Sequence, residues 1–282
     1  MSYLTRIIKI ENGKPIFSNE ISDSHPIGEI KLQKYPSDNI CNICLSEKEL
    51  TFDHVPPKCT GNEGLYHYVN LYNYMVNSSI EYKGISQDGI KYQTICKKCN
   101  NEILKQYDDE INILFNTFKT VKLSNKLILK LTIKPNKIIR GILGHFLSAK
   151  TSHIRTSMED IFADAITYPS KPIDKSLGFY VVPYFYDQIR VIRDLLIDYN
   201  RVIVNCIKIY PLAFIVTQPK YFPNLPDWSC FFDVEPDLKY DVELFGMKEC
   251  KLEWPERYFH PIYFGKNGVE SIIGFPDEMT TI

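Results

Sequence analysis

Residues 126–134, KLILKLTIK, alternate between apolar and polar positions: Leu127, Leu129, Leu131 and Ile133 fall on one side, and Lys126, Lys130 and Lys134 fall on the other beside Ile128 and Thr132. A period of two predicts a strand. A longer period governs the stretch from Lys97, where Ile103, Leu104, Tyr107, Ile111, Leu114, Phe115 and Phe118 recur at steps of three and four. That spacing predicts a helix with one buried face. A second helix starts at Asn136 and buries Ile138, Ile139, Ile142, Leu143, Phe146 and Leu147. Thr156 with Glu159 matches a capping box for a short helix through Ile166. A further helix is expected over 188–198, and strands over 179–182, 202–209, 214–217, 230–234 and 242–245. At the front, residues 3–10 alternate, Asn12-Gly13 is a turn signal, and 15–17 return, which predicts a hairpin. Residues 50–53 form a short strand stopped by Pro56-Pro57, residues 90–95 a second one, and the Tyr-, Asn- and Gly-rich segment 58–88 reads as an inserted loop. Helices and strands grouped in this way imply an α+β fold.

The chain has 282 residues, 44% hydrophobic and 24% charged, which suits a soluble globular protein of two domains rather than a disordered chain. A chain of this size buries about 75% of its unfolded surface and needs no disulfide framework. No apolar run approaches the roughly 20 residues of a membrane span, and the first residues show no signal-peptide core, so a cytoplasmic location is expected.

The formal charge of −1 argues on its own against a dedicated nucleic-acid binder. Its distribution says something different. Residues 111–158 contain no acid and nine basic residues, Lys119, Lys122, Lys126, Lys130, Lys134, Lys137, Arg140, Lys150 and Arg155. Residues 227–282 are net −7. The acid-free stretch is therefore the expected place of a nucleic-acid contact, with Lys126, Lys130 and Lys134 as its strand-borne members.

Eight cysteines remain. Cys41 and Cys44 form C-N-I-C, and Cys96 and Cys99 form C-K-K-C. Two thiolates three positions apart can reach one tetrahedral ion, and two such knuckles make a closed structural zinc site. Cys59 lies between the pairs and reads as a buried thiol, as do the scattered Cys206, Cys230 and Cys250. Between the knuckles stands T-F-D-H-V-P-P-K with Asp53-His54 at its centre, and Asn100 follows the second knuckle directly. Zinc needs only the thiolates. Adjacent residues on a strand point to opposite sides, so Asp53 can face a hard cation such as Mg²⁺ while His54 addresses a water. Asn100, opening the next helix, offers a neutral oxygen.

C-N-I-C, then D-H-V-P-P, then C-K-K-C-N resembles the HNH (ββα-metal) endonucleases, in the endonuclease VII-like branch with paired CxxC zinc knuckles. The resemblance covers about residues 38 to 110. It implies that Cys41, Cys44, Cys96 and Cys99 hold structural Zn²⁺, that Asp53 and Asn100 hold a catalytic Mg²⁺ or another divalent ion, and that His54 is the general base. The family's middle Asn, which helps to orient the base, has no direct counterpart: Lys91 occupies its place, and Asn70 or Asn73 could substitute. Lys58, Lys97 and Lys98 are further candidates for phosphate contact.

The expected organisation is an N-terminal hairpin and extension over 1–37, a zinc-pinned nuclease module with an insertion over 38–118, and a larger α+β domain over 119–282. The last would supply substrate contacts, a protein partner surface or a contact with a second copy of the chain. The expected activity is metal-dependent hydrolysis of phosphodiester bonds in nucleic acid, DNA before RNA, in the phage-defence or restriction setting that the family implies. The other reading is a zinc-stabilised module that binds nucleic acid or protein without cutting. His67, His145, His153 and His260 stand without such neighbours in sequence and read as packing or surface residues.

Overall fold

The computed structural model describes residues 7–11, 14–17, 39–71, 74, 82, 84–120, 129–150, 152–197, 202–244, 250–255, 263–264 and 271–277. The chain begins with a hairpin, β1 (Ile7–Glu11) and β2 (Lys14–Phe17). A second antiparallel pair follows, β3 (Leu50–His54) with β6 (Lys91–Cys96). Between them lie β4 (Tyr66–Asn70) and β5 (Gly84–Ser86). Immediately after β6 a wide helical turn, Cys99–Leu104, leads into α1 (Lys105–Thr120). Next come β7 (Leu129–Ile133), α2 (Pro135–Ser148) and α3 (Ser157–Thr167).

The rest of the chain is mostly strand: β8 (Gly178–Pro183), β9 (Ile189–Ile197), β10 (Val202–Ile209), β11 (Leu212–Thr217), β12 (Tyr240–Leu244), β13 (Tyr263–Phe264) and β14 (Ile272–Pro276). The main sheet is antiparallel and runs β5-β4-β14-β9-β10-β11-β8, with β13 also beside β9. β7 pairs with β12 apart from it. Helices and a mainly antiparallel sheet make this an α+β fold. No helix among the described residues is long and apolar enough to cross a membrane.

The segment expected as an inserted loop does more than connect. β4 pairs with β14, so residues from 38–118 and from 119–282 share one sheet. The apolar interior is shared too. Leu50, Ile95 and Cys99 belong to the same buried cluster as Phe115, Ile142, Phe146, Phe162, Phe179 and Phe214. Along β8 and β11 alternate residues face opposite ways. Phe179, Val181, Leu212, Phe214 and Val216 join the helices, while Tyr180, Val182, Ala213 and Ile215 join a second cluster with Phe222 and Cys250. Both faces are therefore covered, and β11 is buried along its whole length.

Two expected elements differ. Over its described residues, the segment 188–198 is not a helix but the central strand β9. A bulge gives this strand a helix-like spacing. Leu195 pairs with Val204 and Ile192 with Cys206, so β9 advances three residues while β10 advances two. The extra residue puts Ile192 and Leu195 on one face, an i,i+3 spacing that imitates a helix, and Asp194 takes a left-handed φ of 46° there. Residues 230–234 are also not a strand: the chain forms a short 3-10 turn at Ser229–Phe231.

The capping box forms as expected. Glu159 N donates to Thr156 Oγ1 at 3.3 Å, and Thr156 N donates back to Glu159 Oε2 at 2.8 Å. The same buried carboxylate takes Lys150 Nζ at 2.8 Å and Arg193 NH2 at 2.6 Å. Removing one partner of a buried ionic group typically costs about 3–5 kcal/mol, because the remaining charge loses its compensation. Glu159→Gln keeps the shape and removes the carboxylate that Lys150 and Arg193 share. Its unfolding free energy is expected to fall by an amount in that range. A loss under about 1 kcal/mol in urea unfolding would show that the two cations find another partner.

Candidate functional site

Cys41 and Cys44 sit in a tight turn, closed by Leu45 N donating to Cys41 O at 2.9 Å, with Leu45 in the left-handed region at φ 53°. Cys96 ends β6 and Cys99 opens the wide helical turn. The four sulfur atoms lie within 4.8 Å of one another, and Cys44 Sγ is 3.9 Å from Cys96 Sγ. A tetrahedral zinc with Zn–S bonds of about 2.3 Å requires S···S separations near 3.8 Å. The donor set and the spacing fit a metal ion such as zinc. Among the described residues this is the one His, Cys, Asp or Glu group with metal-binding spacing. Cys96 N donates to Cys41 Sγ at 3.3 Å, which favours charge on that sulfur. The Cys99 thiol, hydrogen-bonded to Cys41, holds the Cys41 pKa down at about 4 against the opposing effect of burial. Cys99 is pushed up in return.

The cysteine cluster is braced from outside its own segment. The last carbonyls of a helix have no partner within it. Those at the end of α2 are taken by the knuckle and by β6: Asn42 Nδ2 donates to Leu147 O at 3.1 Å, and Thr94 Oγ1 donates to Ser148 O at 2.6 Å. Asn42 Nδ2 also donates to Lys150 O at 2.8 Å. Arg155 closes the arrangement by donating to Asn42 O at 2.8 Å and to Ile43 O.

That docking brings His145 of α2 against the D-H pair. His145 Nδ1 is 3.1 Å from Asp53 Oδ2, and His145 Nε2 is 2.9 Å from Asp108 Oδ1 on α1. His145 is fully buried and Asp53 nearly so. Burial alone would lower the imidazole pKa, but the two carboxylates outweigh it and hold His145 up at about 10. The expectation for His145 as an unaccompanied packing residue is thus corrected. Its partners lie 92 and 37 residues away, so nothing local in the sequence marks it.

His54 faces the other side of β3. Its Nε2 is 3.0 Å from the carbonyl oxygen of Asp88, which can only accept, so Nε2 carries the proton and the lone pair lies on Nδ1. Burial lowers the His54 pKa below its ordinary 6.5, more than Asp88 raises it, so the ring is neutral at pH 7. The Asp88 carboxylate is shared by Lys58 Nζ at 3.1 Å, Lys91 Nζ at 3.2 Å and His54 Nε2 at 3.4 Å. The Lys58 and Lys91 ammonium groups hold it down at about 2. Lys91 stands opposite His54 in the ladder, and its ammonium is 5.7 Å from the ring centroid of the exposed Phe52.

Asn100 is tied to β3 at the residue before Asp53. Its Nδ2 donates to Phe52 O at 2.8 Å and to Thr51 Oγ1 at 3.2 Å, leaving Oδ1 as the oxygen directed elsewhere. Asp53 likewise engages His145 through Oδ2, which leaves Oδ1. A carboxylate and an amide oxygen are the hard donors that Mg²⁺ takes, one or two from protein and the rest from water and phosphate.

A carbonyl that orients His54 comes from Asp88. Asn70 ends β4 opposite Ile272, and Asn73 is outside the described residues. A different asparagine shapes this loop. Buried Asn62 donates to Pro56 O at 2.6 Å and Ile90 O at 2.9 Å, and accepts from Ile90 N at 2.7 Å, pinning the exit of β3 to the entry of β6. Gly89 is required beside it: φ is +69°, and a Cβ would lie 2.3 Å from Asn62 O.

Lys97 and Lys98 are exposed on the second knuckle. Behind them, the basic side chains that are described engage the protein itself. Lys134 and Lys137 each lie 2.8 Å from Asp237, Arg140 donates to Asn136, Ala165 and Lys171, and Lys150 and Arg155 make the contacts given above. Lys126 and the side chain of Lys130 are outside the described residues. Cys206 and Cys250 are buried as expected, Cys59 is half-buried, and Cys230 is exposed instead. Comparison with family models, with curated proteins and with solved structures finds no match for this chain.

Proposed function

We propose that the protein hydrolyses phosphodiester bonds in nucleic acid as a metal-dependent endonuclease of the HNH type. One observation carries the reading. A four-cysteine cluster ties the end of β6 to the helical turn that carries Asn100, and Asn100 is bonded to Phe52 O, the residue before Asp53 and His54 on β3. The exposed side of β3, with Phe52, Lys58 and Lys91, offers cations to phosphate and a ring to a base, while Lys97 and Lys98 are exposed past the other end of the ladder, where Cys96 stands opposite Leu50.

In this reading His54 Nδ1 takes a proton from the water that attacks phosphorus, while Nε2–H stays on the Asp88 carbonyl and fixes the ring. Lys58 and Lys91 stabilise the gathering negative charge at the phosphate. A divalent cation held by Asp53 and Asn100 would supply Lewis acidity toward the scissile phosphate and the leaving 3′-oxygen. DNA is the first substrate to test.

The test uses the zinc-loaded protein with supercoiled plasmid, single-stranded DNA and RNA, with and without added Mg²⁺, and His54→Ala in parallel. Cleavage that needs Mg²⁺ and His54 supports the reading. Binding without cleavage, unchanged in His54→Ala, would instead assign the module a non-cutting role.

A further inference from the structure

We propose that His145 is a positioning residue for Asp53, fixing that carboxylate so that one oxygen is free to hold a divalent cation. The proposal rests on the reading of Asp53 as a metal ligand and adds a participant from outside the knuckle segment. A strand aspartate can rotate about two side-chain torsions, and an oxygen meant for a cation is useful only if those torsions are set. The 3.1 Å contact from His145 Nδ1 to Asp53 Oδ2 sets them. The imidazole cannot swing away, because its other nitrogen is 2.9 Å from Asp108 Oδ1 and the ring is fully buried. Its helix cannot slide either, since Leu147 O and Ser148 O are held by Asn42 and Thr94. A continuous set of contacts therefore runs from the cysteine knuckle through the end of α2 to His145 and on to Asp53. Partners of this kind, which hold a ligand rather than the ion, typically change metal affinity by about 10–100-fold when removed.

The two ring nitrogens allow the two contacts to be separated. In His145→Asn the amide nitrogen reaches the place of Nδ1 and keeps the Asp53 contact while losing Asp108. In His145→Gln it reaches the place of Nε2, keeping Asp108 and losing Asp53. Mn²⁺ binding to the zinc-loaded protein, followed by electron paramagnetic resonance, reads the site directly. Mg²⁺-dependent cleavage and thermal unfolding are measured alongside. The expected result is a Mn²⁺ dissociation constant within about threefold of wild type for His145→Asn and about 10–100-fold weaker for His145→Gln, at comparable losses of thermal stability. Equal Mn²⁺ affinity in both variants and wild type overturns the proposal, and so does a loss that follows stability alone. Tight Mn²⁺ binding with that pattern but no cleavage of any nucleic acid leaves the positioning role in place and removes the nuclease reading. No Mn²⁺ binding by wild type removes the positioning role.

Discussion

Replacing His54 with alanine is expected to remove nearly all cleavage while nucleic-acid binding and the unfolding temperature stay close to wild type. The imidazole is the one group at the end of β3 that is both neutral at pH 7 and oriented by a fixed acceptor, the Asp88 carbonyl. General-base catalysis typically contributes about 10²–10⁴ in rate, and the loss should lie in that span. Binding should survive, because the cations beside His54, Lys58 and Lys91, and those on the second knuckle, Lys97 and Lys98, are untouched. The variant removes a half-buried ring that packs no core, so stability should move little. The pH dependence carries a second signature. Burial lowers the His54 pKa below 6.5, so the base form is complete at neutral pH. The wild-type rate should be flat there and fall about tenfold per unit once the pH drops below the His54 pKa. Stability follows the same sign. A histidine with a depressed folded pKa favours the folded state above its unfolded value of about 6.5 and loses that contribution as pH falls toward the folded one. A wild-type profile whose acid limb persists in His54→Ala would falsify the assignment of that limb to His54.

What could be read from the residues alone, and what could not, divides by the distance over which each signal acts. The two cysteine pairs were readable because each pair's ligands sit three residues apart, so a local pattern reports a shared target; the sulfur positions agree. The capping box over Thr156 and Glu159 is equally local and forms as its spacing implies. The stripes of α1 and α2 were clear because their apolar positions join the core, with α2 buried almost all round. His145 was invisible for the opposite reason. Its meaning comes from Asp53 and Asp108, which only the docking of α2 on the knuckle brings near. In the basic stretch a count of charges hides unlike surroundings: among its described side chains, Arg140 and Lys150 are buried, and Lys134 and Lys137 face Asp237 from another part of the chain. In β9 one bulge residue was enough to turn a period of two into a spacing that looks helical.

Stripping the metal from the cysteine cluster is expected to cost the protein more than its front module. Structural zinc contributes about 10–16 kcal/mol of apparent binding free energy in small zinc modules, comparable to the 5–15 kcal/mol that holds a typical domain folded. Here the cluster has no core of its own: Cys41, Cys96 and Cys99 share their apolar surroundings with Ile142, Phe146 and Phe214. Its knuckle also satisfies the end of α2, so releasing it would expose Leu147 O and Ser148 O and loosen His145 from Asp53. Cys99→Ser is therefore expected to lower zinc content from one ion per chain to none, to lower the unfolding temperature markedly, and to abolish Mg²⁺-dependent cleavage with it. Cys230→Ser, at an exposed cysteine outside the cluster, is the control and should change none of the three. Zinc is held by thiolates, so the metal should be released as acid begins to compete for the sulfurs. Elemental analysis, circular dichroism during heating and the plasmid assay on the same samples check the chain of effects. A zinc-free Cys99→Ser protein that unfolds at the wild-type temperature would show that the shared core holds the hairpin without the ion. In that case the ion's role would lie in the site and not in the fold.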